Sequence, residues 1–445
     1  MTHQHLQVQL AKEQPWWARM WKYPIMEHYN RLVFTVFLIN GFVFFMGLSQ
    51  WQWFNPEQLA LGQVNQMMAI NLAMAVLVRQ QYVINGLFWL ATRAPVTWPL
   101  SIRWHLGKVY HHGGLHSGGA MAATLWFFVF AGLISYQWQN QLPGISQTTV
   151  WLAYGLVVLL LLILVMATPK IRRNFHNSFE RTHRFGGWSA LILFWLLAYS
   201  FHQDQHANQF IWRDFLLSVP TLLLVSVTLS ILLPWLRLKK VPVTIETPSN
   251  HVALLKFDYG VTPFAGSSTA ISRSPLLEWH QFANVPEPDT TGFKLTVSRA
   301  GDWTGKLIED RPSHLWVKGI PTAGVANIEV LFKRVVYVAT GSGIGPCLPH
   351  LFAQKLPMHL IWSTRSPRKT YGDELVDDIL AVQPDALIWN TDERGKPDMV
   401  KLAYAAYEEF NAEAVIVIAN QKLTQQVVFG LESRGIPAFG AIWDS

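Results

Sequence analysis

Cysteine is almost missing from this chain of 445 residues, which carries Cys347 and no other. One thiol excludes an internal disulfide framework and any zinc or iron–sulfur site built on Cys. Charge is scarce as well: 14% of residues are charged and 51% hydrophobic, where a soluble domain carries about 25% charged residues. Long apolar runs are absent after Leu236 and crowd the part before it. This is the composition of a membrane protein with an appended soluble part. A net charge of +7 would suit nucleic acid if the cations formed a face of their own. They border apolar segments instead, and no nucleic-acid partner is expected. No cleavable signal is expected ahead of the first apolar run.

Hydropathy predicts six membrane helices, near 31–50, 64–91, 116–138, 149–168, 186–201 and 215–236, each close to the roughly twenty residues that a bilayer core needs. Arg79, Gln80 and Gln81 fall in the middle of the second, a face expected to look into the bundle. The stretch before the first helix, the second-to-third and fourth-to-fifth connections and the stretch after the sixth hold fifteen Lys and Arg; the opposite loops hold Arg213 alone. By the positive-inside rule the chain is a multi-pass cell-membrane protein with both termini cytoplasmic. Trp16, Trp17, Arg19, Trp21 and Lys22 mix rings with cations, as an anchor at the lipid interface does.

After Val241 the pattern changes to short β-rich runs at 252–258, 268–273, 277–282, 293–299, 315–318 and 328–332, separated by turn residues. Such runs suit a small antiparallel barrel. From Arg334 strands alternate with helices: strands at 335–339, 358–363, 386–390 and 414–419, a last extended piece at 438–443, and helices at 347–356, 373–381, 398–410 and 424–433. That order predicts a doubly wound parallel sheet with its ligand crevice at the carboxyl ends of the strands. The expected domains are a cytoplasmic or interfacial segment (1–30), a six-helix transmembrane bundle (31–236), a flavin-type β-barrel (241–332) and an NAD(P)-binding α/β domain (333–445).

Residues 335–348 read VVYVATGSGIGPCL: a strand, then Thr340, Gly341, Ser342, Gly343, Ile344 and Gly345, with Pro346 in the first helical turn. Glycines let backbone approach a pyrophosphate, and the helix behind them offers free N–H groups and the positive end of its dipole. Membrane helices, a small barrel and then this α/β unit form the order found in the ferric reductase and NADPH oxidase superfamily. Glu278-Trp279-His280-Gln281-Phe282 resembles that family's Glu-Trp-His-Pro-Phe flavin strand, Gly301–Leu307 resembles its Gly-Asp-Trp-Thr segment, and Thr340–Pro346 resembles its nicotinamide loop. In detail the chain looks closest to the TmpA-like branch of transmembrane oxidoreductase-like proteins. The resemblance implies FAD on His280, Phe282 and Thr304, and NAD or NADP on the glycine loop. Trp443 resembles the carboxy-terminal aromatic that covers the flavin.

The chain also departs from that pattern. Ala283 stands where the family has a Ser or Thr that hydrogen-bonds the flavin ring, and Asn284 points to the other face of a strand. Gln281 replaces the proline, and Ile418-Ala419-Asn420 replaces Cys-Gly-Pro. The family's two haems need paired His on the third and fifth helices. Here His112, His116 and His183 could serve an inner site, but Val129, Phe130, Leu196 and Leu197 occupy the outer offsets. At most one haem is expected, and electron transfer across the bilayer is disfavoured. Arg365, Arg368 and Lys369 after the second parallel strand favour NADP over NAD, since Arg can take a 2′-phosphate bidentately. Tyr371 could stack on adenine or pack. Two readings stay open: a flavin and NAD(P)H oxidoreductase on the cytoplasmic side, with lipid, nucleotide and an unassigned electron acceptor or protein as partners, or a non-catalytic redox sensor or scaffold with a degenerate flavin site.

Overall fold

The computed structural model describes residues 8–206, 209–286 and 291–441. Among them five helices are long and apolar enough to cross a membrane: His28–Ser49, Leu100–Gln139 (whose straight part is Gly113–Gln139), Gln147–Ala167, His176–Gln205 and Val219–Leu236. A sixth span exists only if a bent pair, Leu61–Leu77 and Gln81–Ala91, is counted as one. The second expected span is therefore not a continuous rod. It breaks by 76° because the Gln80 side chain accepts from the backbone N–H groups of Tyr82 and Val83 and starts a new helix.

The bundle is knit around Gly113–Gln139, which packs against His28–Ser49, Leu61–Leu77 and Gln147–Ala167. Close approach depends on small residues: a Cβ at Gly114 would lie 2.3 Å from the Tyr29 carbonyl oxygen, and one at Gly119 2.9 Å from that of Asn71. Inside lie Val64, Phe127, Ile134 and Leu156. Phe34, Phe42, Phe45 and Val158 face outward.

The half-helix Gln81–Ala91 leaves the bundle and lies on the layers that follow it in the chain. Asn85 donates to Pro321 O (2.9 Å) and accepts from Ala323 N (2.9 Å), and Gln81 donates to Ile320 O (3.0 Å). Ile84 and Phe88 join one apolar core with Ile328, Phe332 and Tyr337. Apolar residues that suggested a span thus serve an interface between layers. The segment Leu100–His112 does the same: Arg103 bonds Glu413 twice (2.7 and 3.1 Å), and Lys108 bonds Glu432 (2.5 Å) and Ala438 O (2.7 Å).

The barrel consists of two antiparallel sheets. One runs Leu238–Pro242, His314–Lys318, Ser267–Ser272, His280–Ala283, with Thr322–Ala323 beside Ser267–Ser272; the other runs Thr244–Glu246, Val252–Phe257, Phe293–Ser298, Val285–Pro286. Their inner faces share Leu255, Phe257, Ile271, Leu295 and Val317, closed by the helix Asp302–Asp310. The run expected as a strand at 328–332 is a 3₁₀ helix, Val325–Leu331. Ile328 and Leu331 are both fully buried, a spacing of three that places them on one face of a 3₁₀ turn and on opposite faces of a strand. The last layer is a parallel sheet in the order Leu387–Asn390, Met358–Thr364, Val335–Thr340, Ala414–Ile418, Ala438–Gly440. Its central strand is buried from Val335 to Ala339, as a strand covered on both faces must be.

Candidate functional site

The strand order turns back between Val335–Thr340 and Ala414–Ile418, and a crevice opens at the carboxyl ends there. Its volume is about 820 Å³, and it is lined by Thr340, Gly341, Thr364, Arg365, Asn420 and Lys422 among others. Gly341 sits at φ +52°, a left-handed conformation that favours glycine. The Trp362 indole holds its carbonyl (2.9 Å). Gly343 is needed for a different reason from the one its motif suggests. Its φ is −59°, but a Cβ would fall 2.0 Å from the Ile418 carbonyl oxygen. Ser342 is exposed at the tip, Ile344 is fully buried in the core, and Gly345 faces Thr296, with Pro346 in the helix Ile344–Ala353.

Of the three basic residues expected at the ribose, only Arg365 lines this crevice. Arg368 is committed to Asp373 (3.1 Å) and Asp377 (2.7 Å), and with Lys369 it borders a neighbouring groove. Lys396 and Lys422, which the sequence reading missed, supply the other cations. Both follow carboxyl ends of parallel strands, the one signal that could have found them. Tyr371 is 1% exposed and packs edge-on against Trp362 at 5.0 Å.

His280, Phe282 and Thr304 come together around Trp303. The His280 ring lies 4.2 Å from the indole and the Phe282 ring 6.4 Å from it. Thr304 holds Trp303 in place by accepting from the N–H groups of Ala300 (2.9 Å) and Gly301 (3.1 Å) at the helix start. Burial lowers the His280 pKa, against the pull of Glu278 at 3.3 Å. The glycine-loop helix packs on the strand His280–Ala283. Asn284 is fully buried, with its amide on the Ser267 hydroxyl (2.8 Å), so it does not replace the hydroxyl missing at Ala283. Asn420 caps the helix Gln421–Glu432 by accepting from Leu423 N (3.0 Å). Cys347 is buried, its thiol pushed up by burial and by Glu329, and it bonds the Gly343 carbonyl. Trp443 lies outside the described residues.

In the bundle the structure brings together two of the three histidines. His116 and His183 meet edge to face with centroids 6.0 Å apart, and His116 Nδ1 lies 2.8 Å from Ala75 O, which leaves Nε2 free for a metal. His112 ends a 3₁₀ turn, Gly107–His112, bonds Val109 O and packs on Phe88, so it does not join them. His116 and His183 are the pair that an inner haem would need. Among the described residues no group of three or more His, Cys, Asp and Glu could hold a metal ion.

A family model described as the C-terminal domain of adenylate-forming reductase 03009 matches residues 325–445. Two relatives from Coprinopsis cinerea, named adenylate-forming reductases 03009 and 06235, are 44% and 43% identical over 429 residues, covering 96% of this chain and 41% of theirs. The chain spans about two-fifths of the length of the curated relatives it matches. Among solved structures, a ferredoxin–NADP⁺ reductase from Neisseria gonorrhoeae with bound FAD and NADP is 14% identical and aligns with 46% of this chain and 98% of its own, at a TM-score of 0.37.

Proposed function

We propose that this chain is an NAD(P)H- and flavin-dependent oxidoreductase module carried on a membrane-spanning bundle, acting on the cytoplasmic side without two-haem electron transfer. The observation that carries the reading is the crevice at the sheet's reversal: a glycine turn at a helix start, with Arg365, Lys396 and Lys422 around it, beside the ring stack of His280, Trp303 and Phe282. The relatives' name pairs adenylate formation with reduction; the crevice and the ring stack belong to the reductive half of that pairing. The resemblance of Glu278–Phe282, Gly301–Leu307 and Thr340–Pro346 to ferric reductase motifs, in detail to the TmpA-like branch, supports this reading. The helices Gln147–Ala167 and Val219–Leu236 and the basic bias of the loops support the anchoring. Bound FAD would supply hydride acceptance; the chain's own residues hold and orient it, His280 and Phe282 at the rings and Thr304 through the helix it starts.

A second reading, a membrane redox sensor or scaffold, is favoured by Ala283, whose methyl offers a flavin ring no hydrogen bond. One missing bond of this kind is worth roughly 1 kcal/mol. Rapid-mixing absorbance of purified full-length protein with NADPH and NADH separates the two. The reductase reading expects flavin reduction, a several-fold NADPH preference that falls in Arg365→Ala, and a gain in flavin occupancy or rate in Ala283→Ser. Nucleotide binding with no flavin reduction in either protein supports the sensor; no nucleotide binding defeats both.

A further inference from the structure

A cavity of about 380 Å³ lies inside the bundle, among the helices Leu61–Leu77, Gly113–Gln139, Gln147–Ala167, His176–Gln205 and Val219–Leu236. That volume is within the ordinary range for a ligand pocket, roughly 300–1,000 Å³. Its walls are apolar, with Leu72, Val76, Leu164, Leu191 and Ile231 among them. Its polar end is made of donors: Arg79, Gln80 and Lys318, with Arg184 beside them. No acidic side chain lines it.

Two of these donors have nothing to bond. The Arg79 guanidinium makes no hydrogen bond or ion pair with any described residue; its charge is felt by Tyr29, His112, His116 and His183. Gln80 is 7% exposed and its Nε2 is buried without a partner, because its oxygen is spent on capping the half-helix. Arg184 is neutralised by Glu180 (2.6 Å). The buried Gln80 amide costs free energy unless an acceptor meets it, and the Arg79 guanidinium, exposed at the cavity mouth beside it, supplies the matching positive charge. Leu72, Ala75, Val76 and Arg79 follow one another at helical spacing on the same face, so the helix that lines the cavity also carries Arg79 to its end.

We propose that this cavity binds an amphipathic carboxylate, a long-chain fatty acid drawn from the lipid phase, with its head on Arg79 and Gln80 and its chain between the apolar walls. The proposal rests on the membrane-spanning reading of the bundle and is independent of the nucleotide crevice. A haem also carries carboxylates on an apolar body, and His116 and His183 stand beside the same cavity, so the test separates the two sources.

Delipidated full-length protein is mixed with palmitate or methyl palmitate and the bound species are counted by native mass spectrometry. One palmitate per chain is expected, with the methyl ester bound at least tenfold more weakly. Arg79→Gln should weaken palmitate by roughly ten- to a hundredfold, the loss of a charge-assisted hydrogen bond. Ala120→Phe, which fills the cavity from Gly113–Gln139, should abolish binding with Arg79 intact. NADPH titration of the same preparations reports on the crevice separately and shows whether each variant is folded. If Arg79→Gln does not fold, Ala120→Phe and the ester comparison decide. Equal binding of acid and ester, binding unchanged by Ala120→Phe, or no binding to the wild type would defeat the proposal. So would a haem mass with a Soret band that disappears in His183→Ala.

Discussion

Gly341 and Gly343 stand two residues apart in one loop and answer to different physics. Gly341 holds a positive φ with open space around it, the nearest side-chain atom being the Tyr371 hydroxyl at 3.8 Å; Gly343 has ordinary dihedrals and no room. Alanine at 341 should cost roughly 1–2 kcal/mol for a left-handed conformation. At 343 the added methyl meets a backbone carbonyl at the end of Ala414–Ile418, which cannot rotate away as a side chain could. A cost of roughly 3 kcal/mol or more is expected, at the upper end for overpacking. Melting of both variants followed by intrinsic fluorescence should show Gly343→Ala the less stable, with NADPH affinity lost alongside stability. The opposite order would mean that the strand end yields and that the loop glycine serves the nucleotide first.

At the scale of elements, the strand His314–Lys318 ends in a buried cation. Burial and Arg184 lower the Lys318 pKa to about 8, against Glu180, and the ammonium sits 4.7 Å over the Trp279 ring. The folded chain releases this proton near pH 8 and the unfolded chain near 10.5. The charge therefore destabilises the fold fully below pH 8, by roughly 3 kcal/mol at 1.36 kcal/mol per pH unit. The penalty fades between those values and is gone above pH 10.5. Lys318→Met should accordingly raise the melting temperature at pH 7 and make no difference near pH 11; a pH-independent effect would assign the change to packing alone.

Which elements could be read from sequence follows from where their partners lie. The parallel strands were legible because each is a short apolar run bounded by turn residues, and the glycine loop and Arg365 lie within one such unit. The bend at Gln80 was not, since hydropathy averages over 64–91 and cannot distinguish a face turned to lipid from one turned to Ile328 and Phe332. Lys396 and Lys422 escaped because only the sheet order brings their two strand ends to one crevice. Family resemblance singled out His280, Phe282 and Thr304 for a flavin, but their packing around Trp303 and the capping roles of Thr304 and Asn420 are visible only in three dimensions.

For the whole molecule, three distant parts of the chain meet on one side of the bundle. The N-terminal segment lies on the last α/β helix: Gln14 N donates to Ser433 O (2.8 Å), Glu13 pairs with Arg434 (3.3 Å), and Tyr23 stacks on Phe429 at 4.8 Å. Lys22 rests over Trp104 at 4.0 Å, and Leu100–His112 is tied to Glu413 and Glu432. The N-terminal segment, this connection and the α/β domain therefore share one side whatever the orientation of the bundle. The fifteen-to-one excess of Lys and Arg falls on that side, so it should be the cytoplasm. A reporter fused after Ser445 should be active only there, and one inserted in the opposite loop after Gly144 only on the other face. If the two reporters exchange sides, the crevice faces away from the cell's reduced pyridine nucleotides and the oxidoreductase reading loses its substrate. If both report from one side, the odd number of crossings that three helices supply between Gly144 and the C terminus no longer holds, and one of Gln147–Ala167, His176–Gln205 and Val219–Leu236 does not span the bilayer.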